Sequence, residues 1–286
     1  MLTGPRFRRS VSRTLGGAAL VLSLGSSGCL APEPAPEASS RIAGHVSREL
    51  LARANRGREI LNPDGFFRFP RKVRRVWIDV GAHHLETTRA ELRHPDVAII
   101  AIEPLAEAWS TWPDSDRVIG LPVAIYLERG TMDFHVNELD DTSSLLESTE
   151  ASARGSVTRT VEVRRVPVIR LEDVLQAIPS GYPIAYVKTD VQGVDLQVLQ
   201  SAGESLRRVE RVRAEIINSP EYKKLDGRGM ASEREMTGYL RSKGFELALE
   251  SGVQLDRAWL DQIFVNADRS WFDRRWHDFR FGVPSS

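Results

Sequence analysis

Three acidic residues, Asp79, Glu103 and Asp190, stand at or just past the ends of apolar, strand-like runs. In a parallel α/β sheet those ends border the crevice where ligands bind, so they are the places to look for chemistry. Asp79 opens the segment Asp79-Val-Gly-Ala-His-His-Leu85, in which Gly81 with Ala82 allows a tight turn and a close approach of ligand to backbone amides. Glu103 follows the next run, 24 positions after Asp79, and Pro104 ends that strand. A carboxylate there can accept hydrogen bonds from both hydroxyls of a ribose. Each bond to a charged acceptor contributes about 1.5–3 kcal/mol. Lys188 and Asp190 fall on one side of a third strand end, because alternate strand residues share a face. Asp190 can orient a hydroxyl or take its proton while Lys188 tunes the charge; a structural ion pair is the plainer use of the same two residues. His135, on a strand-like segment, is a further candidate base.

Two other chemistries compete for the same residues. A nicotinamide site would also use a carboxylate at Glu103, but it wants Gly-x-Gly-x-x-Gly to seat a pyrophosphate. The loop Gly81-Ala-His-His-Leu-Glu86 has glycine only at the first position. A metal site is suggested by His83-His84, yet neighbouring histidines in a turn are expected to point apart. With no third ligand recognised beside them, no metal is expected and loop hydrogen bonding is their expected role.

These residues need elements to hold them. Residues 41–60 read as a helix, with Ile42, Val46, Leu50 and Leu51 on one face. Strands are expected at Val76–Val80, Val97–Ile102, Val118–Ile125, Thr131–Val136, Val161–Val168, Ile184–Asp190, Val209–Ile217 and Gln262–Asn266. Helices are expected at Glu86–Arg93, Ala106–Trp112, Leu171–Gln176, from Asp190 through Leu199, and at Glu233–Gly244. That alternation predicts an α/β layer built on a parallel sheet with right-handed crossovers.

The same segments resemble the FkbM family of S-adenosylmethionine-dependent methyltransferases. Trp77-Ile-Asp-Val-Gly-Ala-His83 is similar to the family's first motif and Ala101-Ile-Glu-Pro-Leu105 to its second. Pro122-Val-Ala-Ile125, Gly130-Thr-Met-Asp-Phe134 and Thr142-Ser-Ser-Leu145 follow in the family's order. Val187-Lys-Thr-Asp-Val-Gln-Gly-Val-Asp195, with Val198-Leu199 and Ala202-Gly203, resembles its most distinctive block, and Ile263-Phe-Val265 closes the series. The resemblance implies a Rossmann-like class I methyltransferase fold, a mostly parallel central sheet flanked by helices. It implies S-adenosylmethionine as cofactor, with Asp79, Gly81, Ala82, His83, Glu103 and Pro104 as the binding residues. Catalysis would fall to Asp190, Lys188 and His135. The reaction it implies is O-methylation of a small molecule or sugar, in which alignment alone can supply on the order of 7–11 kcal/mol of the acceleration. The chain departs from the family pattern at His83, where Asn is usual, and at Leu85, where Gly is usual. A side chain at Leu85 would crowd the cofactor loop, and this supports an alternative: an exported, membrane-tethered protein that keeps the fold without activity.

The 286 residues carry 39 Lys+Arg and 39 Asp+Glu, which gives no electrostatic case for nucleic acid. The single cysteine, Cys29, excludes an internal disulfide. Arg6, Arg8, Arg9 and Arg13 precede the apolar run Leu15–Leu24 and the small residues leading to Cys29, the parts of an export leader with a lipidation-like end. The expected organisation is a leader over 1–29, a Pro/Ala-rich linker over 30–40, a helical extension over 41–72, the methyltransferase domain over 73–268 and an aromatic and basic tail over 269–286. The leader points to export or lipid anchoring through Cys29; a misassigned start would leave the domain cytoplasmic. The expected partner is a small-molecule or glycan acceptor, chosen by the loops at Asn137–Thr158 and Asn218–Ser232.

Overall fold

The computed structural model describes residues 42–153, 158–217, 223–224, 230–248, 253–254 and 259–267. The leader, Cys29, the linker and the aromatic and basic tail lie outside the described residues, as does most of the 218–232 loop.

The main sheet has eight strands, seven of which form its body. In chain order these are β1 (Arg75–Val80), β2 (Val97–Ile102), β3 (Val118–Leu121), β6 (Ile184–Thr189), β7 (Arg211–Ile217), β8 (Phe245–Leu247) and β9 (Trp259–Asn266). The numbers β4 and β5 belong to Gly130–Asn137 and Thr160–Ile169, which sit in a second sheet. The spatial order is β8-β9-β7-β6-β1-β2-β3, and the two-residue strand Val253–Gln254 pairs with β9. Neighbours from β7 to β3 run parallel, while β9 is antiparallel to both β7 and β8. The chain winds outward from β1 through β2 and β3, then restarts at β6 on the other side of β1. The boundary between β1 and β6 is therefore the switch point at which such sheets bind ligands.

The sequence explains why these strands are central. Val97-Ala-Ile-Ile-Ala-Ile102 is apolar throughout and buried throughout, as a strand covered on both faces must be. On one face Ile78, Ile100, Leu121, Val187 and Val212 join the larger core. On the other, Trp77, Ile99, Trp109, Trp112 and Tyr186 form a smaller aromatic one, with the Trp77 and Tyr186 rings 4.4 Å apart. Helices α1 (Arg48–Ala54), α2 (Ala106–Trp109), α3 (Leu171–Ala177), α4 (Asp195–Gln200) and α5 (Glu233–Ser242) accompany the sheet. Among the described residues no helix is long and apolar enough to cross a membrane.

Three expected elements are broken, each for a local reason. The helix over 41–60 is interrupted at Ser47, whose hydroxyl accepts from the Leu50 amide and starts α1 afresh. Ile42, Val46 and Leu51 are nevertheless buried in the larger core, so the segment is built into the domain. Asn55, fully buried, gives and takes hydrogen bonds with the Gly120 backbone at 2.8 Å and so extends the edge at β3. The expected strand Val118–Ile125 divides at Pro122, which has no amide to donate. Its first half is β3; its second, Ala124–Ile125, pairs with β5 in a separate three-stranded sheet with β4. Glu86–Arg93 is not an α-helix, and only Arg89–Arg93 forms a 3₁₀ turn.

Candidate functional site

The ends of β1, β2, β6 and β7 open onto a cavity of about 640 Å³. Val80, Gly81, His83, Glu103, Pro104, Lys188, Asp190 and Glu215 line it from the main sheet, and residues 139–143 line it from the loop after β4. Six of the expected site residues therefore converge: Gly81, His83, Glu103, Pro104, Lys188 and Asp190.

Glu103 follows the last residue of β2, and its carboxylate is held by backbone donors on either side. Oε1 accepts from the Leu105 amide at 2.9 Å and Oε2 from the His83 amide at 3.2 Å. Each oxygen keeps a second lone pair for a ligand. Burial pushes the Glu103 carboxyl up to about 7, although the Leu105 and His83 amides pull the other way.

Asp79 and Lys188 are direct partners across the β1–β6 register. Lys188 Nζ lies 3.1 Å from Asp79 Oδ1, donates to the Gly81 carbonyl at 3.1 Å and reaches Asp190 Oδ2 at 3.4 Å. Burial by itself would lower the Lys188 ammonium, but Asp79 and Asp190 outweigh it and hold the group above the ordinary lysine range. Burial pushes the Asp79 carboxyl up, opposed by Lys188 and by the Thr88 hydroxyl, which donates to Oδ2 at 2.7 Å. Asp79 is fully buried and does not line the cavity. It is the anchor beneath the loop, holding Lys188 and Thr88, and not the cofactor contact expected of it.

Gly81 and Ala82 also differ from expectation. Both amides donate to the Ile102 carbonyl, at 3.0 and 3.1 Å, and so are spent within the protein. Gly81 is required for another reason: at φ +74, a Cβ there would stand 1.9 Å from the Asp190 carbonyl oxygen. The close approach it permits is between two strand-end loops. Ala82 is buried in the aromatic core and lies outside the cavity lining.

His135 is not part of the cavity either. On β4 it is Phe134 that lines the cavity, and the next residue points to the opposite face of the strand.

Leu85 takes φ +64, a conformation in which glycine is usual, but its side chain turns away from the cavity. It is fully buried with Trp77, Trp109 and Trp112. The crowding of the cofactor loop expected from this residue does not occur, and the alternative of an inactive relic loses that support. Truncating Leu85→Ala should cost about 2–5 kcal/mol of stability while leaving cofactor affinity within twofold, as denaturant titration and calorimetry would show.

Two residues beside Asp190 were not anticipated. Gln192, at φ +59, donates from Nε2 to Asp190 Oδ1 at 3.1 Å and to Glu215 Oε2 at 3.1 Å, bridging two carboxyl groups. Burial, together with the charges of Asp190, Asp195 and Asp261, pushes Glu215 well above the carboxylate range. Burial alone would raise Asp190 too, but Lys188 and Gln192 outweigh it and hold Asp190 low. Within the pair, Asp190 is thus the more readily ionised and Glu215 the more readily protonated. Glu215 could have been found by the rule that singled out Asp79, Glu103 and Asp190, since it too stands near the carboxyl end of a parallel strand.

The family model for the methyltransferase FkbM domain matches residues 79–247. No curated protein sequence matches the chain. Among solved structures it is similar to the antibiotic-resistance methyltransferase Kmr, with 14% identity and a TM-score of 0.37 over 68% of this chain and 89% of that one. It is also similar to M. capricolum TrmK in complex with S-adenosyl-homocysteine, with 10% identity and a TM-score of 0.34 over 78% and 70%. A third is magnesium protoporphyrin IX methyltransferase from Synechocystis PCC 6803 with bound SAM, with 9% identity and a TM-score of 0.33 over 68% and 72%.

Proposed function

The chain belongs to the FkbM methyltransferase family, and from that premise we propose that it moves the methyl group of S-adenosylmethionine to a hydroxyl oxygen of a small molecule or glycan. Its sheet has the Rossmann-like class I methyltransferase order. The observation that carries the reading is Glu103, a buried carboxylate set at the end of β2 by two backbone amides and facing the cavity with lone pairs to spare. Those lone pairs accept the two ribose hydroxyls, and the loop Gly81–His83 borders the methionine end.

The acceptor oxygen attacks the methyl carbon in line with the sulfonium. As the O–CH₃ bond forms, the S–CH₃ bond breaks and its electron pair stays on sulfur as the neutral thioether. The acceptor's proton passes to Asp190, which Gln192 and Lys188 hold in place. A carboxylate held below its usual range is a weak base, so most of the acceleration comes from alignment. Among the described residues, the cavity wall carries the carboxyl groups of Glu86, Glu103, Asp140, Asp141, Asp190 and Glu215 against the one ammonium of Lys188. That balance suits a sulfonium and a neutral acceptor and disfavours a polyanion such as nucleic acid. The leader and Cys29 are proposed to tether the chain to a membrane, as the sequence pattern suggests.

The ribose hydroxyls donate to the ionised form of Glu103, so the bound cofactor lowers the proton affinity of that group. Affinity for S-adenosylmethionine should therefore be flat above about pH 8 and fall below pH 7, approaching tenfold per pH unit. Calorimetry across pH 5.5–8.5 would show this slope, and Glu103→Gln should remove it.

The acceptor class is tested by incubating the chain with methyl-labelled S-adenosylmethionine and matched panels of polyols, sugars and amines. Label in ethers from the hydroxyl panel supports the reading. Label confined to amines would overturn it.

A further inference from the structure

The grounds on which the sequence sets a metal aside do not hold in the fold. With His83 at φ +40 and Leu85 at φ +64 the loop turns so that both imidazoles lie together, their ring centroids 3.9 Å apart. A third donor stands beside them: one ligand atom each from His83, His84 and Glu86 lie within 4.8 Å of one another.

A neighbouring hydrogen bond fixes which nitrogen of His84 is free. The Thr111 hydroxyl donates its proton to the Ala108 carbonyl at 2.8 Å, so its oxygen accepts from His84 Nδ1 at 2.9 Å. The proton of His84 is thereby on Nδ1, and Nε2 keeps its lone pair. His83 lies between two carboxylates, with Nδ1 3.3 Å from Glu86 Oε1 and Nε2 3.3 Å from Asp140 Oδ1. His83 Nε2 is buried and makes no hydrogen bond, and Nδ1 is the nitrogen on the side of Glu86. An imidazole whose other N–H is taken by an acceptor, as that of His84 is by Thr111, is the form in which metal-ligating histidines are held.

We propose that His83 Nδ1, His84 Nε2 and the Glu86 carboxylate form a divalent transition-metal site on the rim of the cavity, with Thr111 fixing the His84 imidazole and the Asp140 carboxylate standing beside that of His83. Two imidazoles and one carboxylate make a donor set suited to Zn²⁺, with a fourth position left for solvent or a ligand. Hard cations such as Mg²⁺ prefer oxygen donors throughout and fit it poorly. At ordinary zinc distances the ligand atoms stand about 3.4 Å apart. Glu86, whose side chain is 60% exposed, has the freedom to close that gap. Since His83 and Glu86 both line the cavity, a bound ion borders the site of methyl transfer.

The test is a calorimetric titration of the chelator-stripped full chain with ZnCl₂ alone, followed by the ligand-field spectrum with Co²⁺. Without S-adenosylmethionine in the cell, the result does not depend on the methyltransferase reading. One saturable Zn²⁺ per chain is expected. His84→Ala and Glu86→Gln should each weaken it by about a hundredfold or more, and Thr111→Val by about 10–100-fold. His135→Ala should leave it unchanged, and thermal unfolding of each metal-free variant confirms that it is folded. No saturable binding by the unaltered chain would overturn the proposal. So would binding that survives His84→Ala and Glu86→Gln at full affinity, because the ion would then lie elsewhere.

Discussion

Replacing Lys188 by methionine should lower the unfolding free energy by about 3–5 kcal/mol at pH 8, the cost of leaving one member of a buried ion pair alone. The abandoned partner is Asp79, fully buried and left with only the Thr88 hydroxyl. Without Lys188 its carboxyl moves further above its unfolded-state value. A group shifted in that direction contributes stability when protonated and loses it as pH rises through the folded-state value. The variant should therefore recover part of its deficit as pH falls from 8 toward 5. A second change, Asp79→Asn, should restore part of the loss at pH 8, because it removes the unpaired charge. Urea unfolding at three pH values checks all of these outcomes. A Lys188→Met protein as stable as the parent at pH 8 would show that the pair is not what holds the strand ends together.

Gly81→Ala should be nearly as damaging by a different route. The new Cβ meets the Asp190 carbonyl oxygen at 1.9 Å, and that neighbour is backbone and cannot swing aside. A left-handed φ of +74 adds strain for any residue with a side chain. Strain of about 1–3 kcal/mol and overpacking of about 1–3 kcal/mol together predict a loss of roughly 2–6 kcal/mol. Both loops border the cavity, so separating them should also weaken S-adenosylmethionine binding by more than tenfold in whatever fraction remains folded. Thermal unfolding and calorimetry on the same sample separate the two effects. Wild-type affinity in a destabilised Gly81→Ala protein would mean that the contact between the loops does not shape the cofactor site.

The central strands were legible in the sequence because their burial is written into composition. Val97–Ile102 has no polar residue, and the acidic residue that follows it marks the sheet end. Glu103, Lys188 and Asp190 come together at the cavity for the same reason, since strand ends converge at a switch point whatever the intervening chain does. What remained unreadable was non-local. The partnership of Asp79 with Lys188 depends on the register between β1 and β6, 109 residues apart, whereas alternation along one strand pairs Lys188 only with Asp190. The side-chain directions of Leu85 and His83 are not legible because their positive φ values reverse where the side chains point. No pattern of residue types announces that reversal when the residues are not glycine. His135 failed by parity: a one-residue difference along β4 decides between the cavity and the opposite face.

The central claim is that Glu103 and the loops beside it form a working S-adenosylmethionine site. It is tested most directly by calorimetric titration of the full chain with S-adenosylmethionine and S-adenosylhomocysteine, beside the Glu103→Ala variant. Micromolar binding by the parent, weakened at least tenfold in the folded variant, is the result predicted. A folded parent that gives neither heat nor thermal stabilisation at millimolar ligand would contradict it.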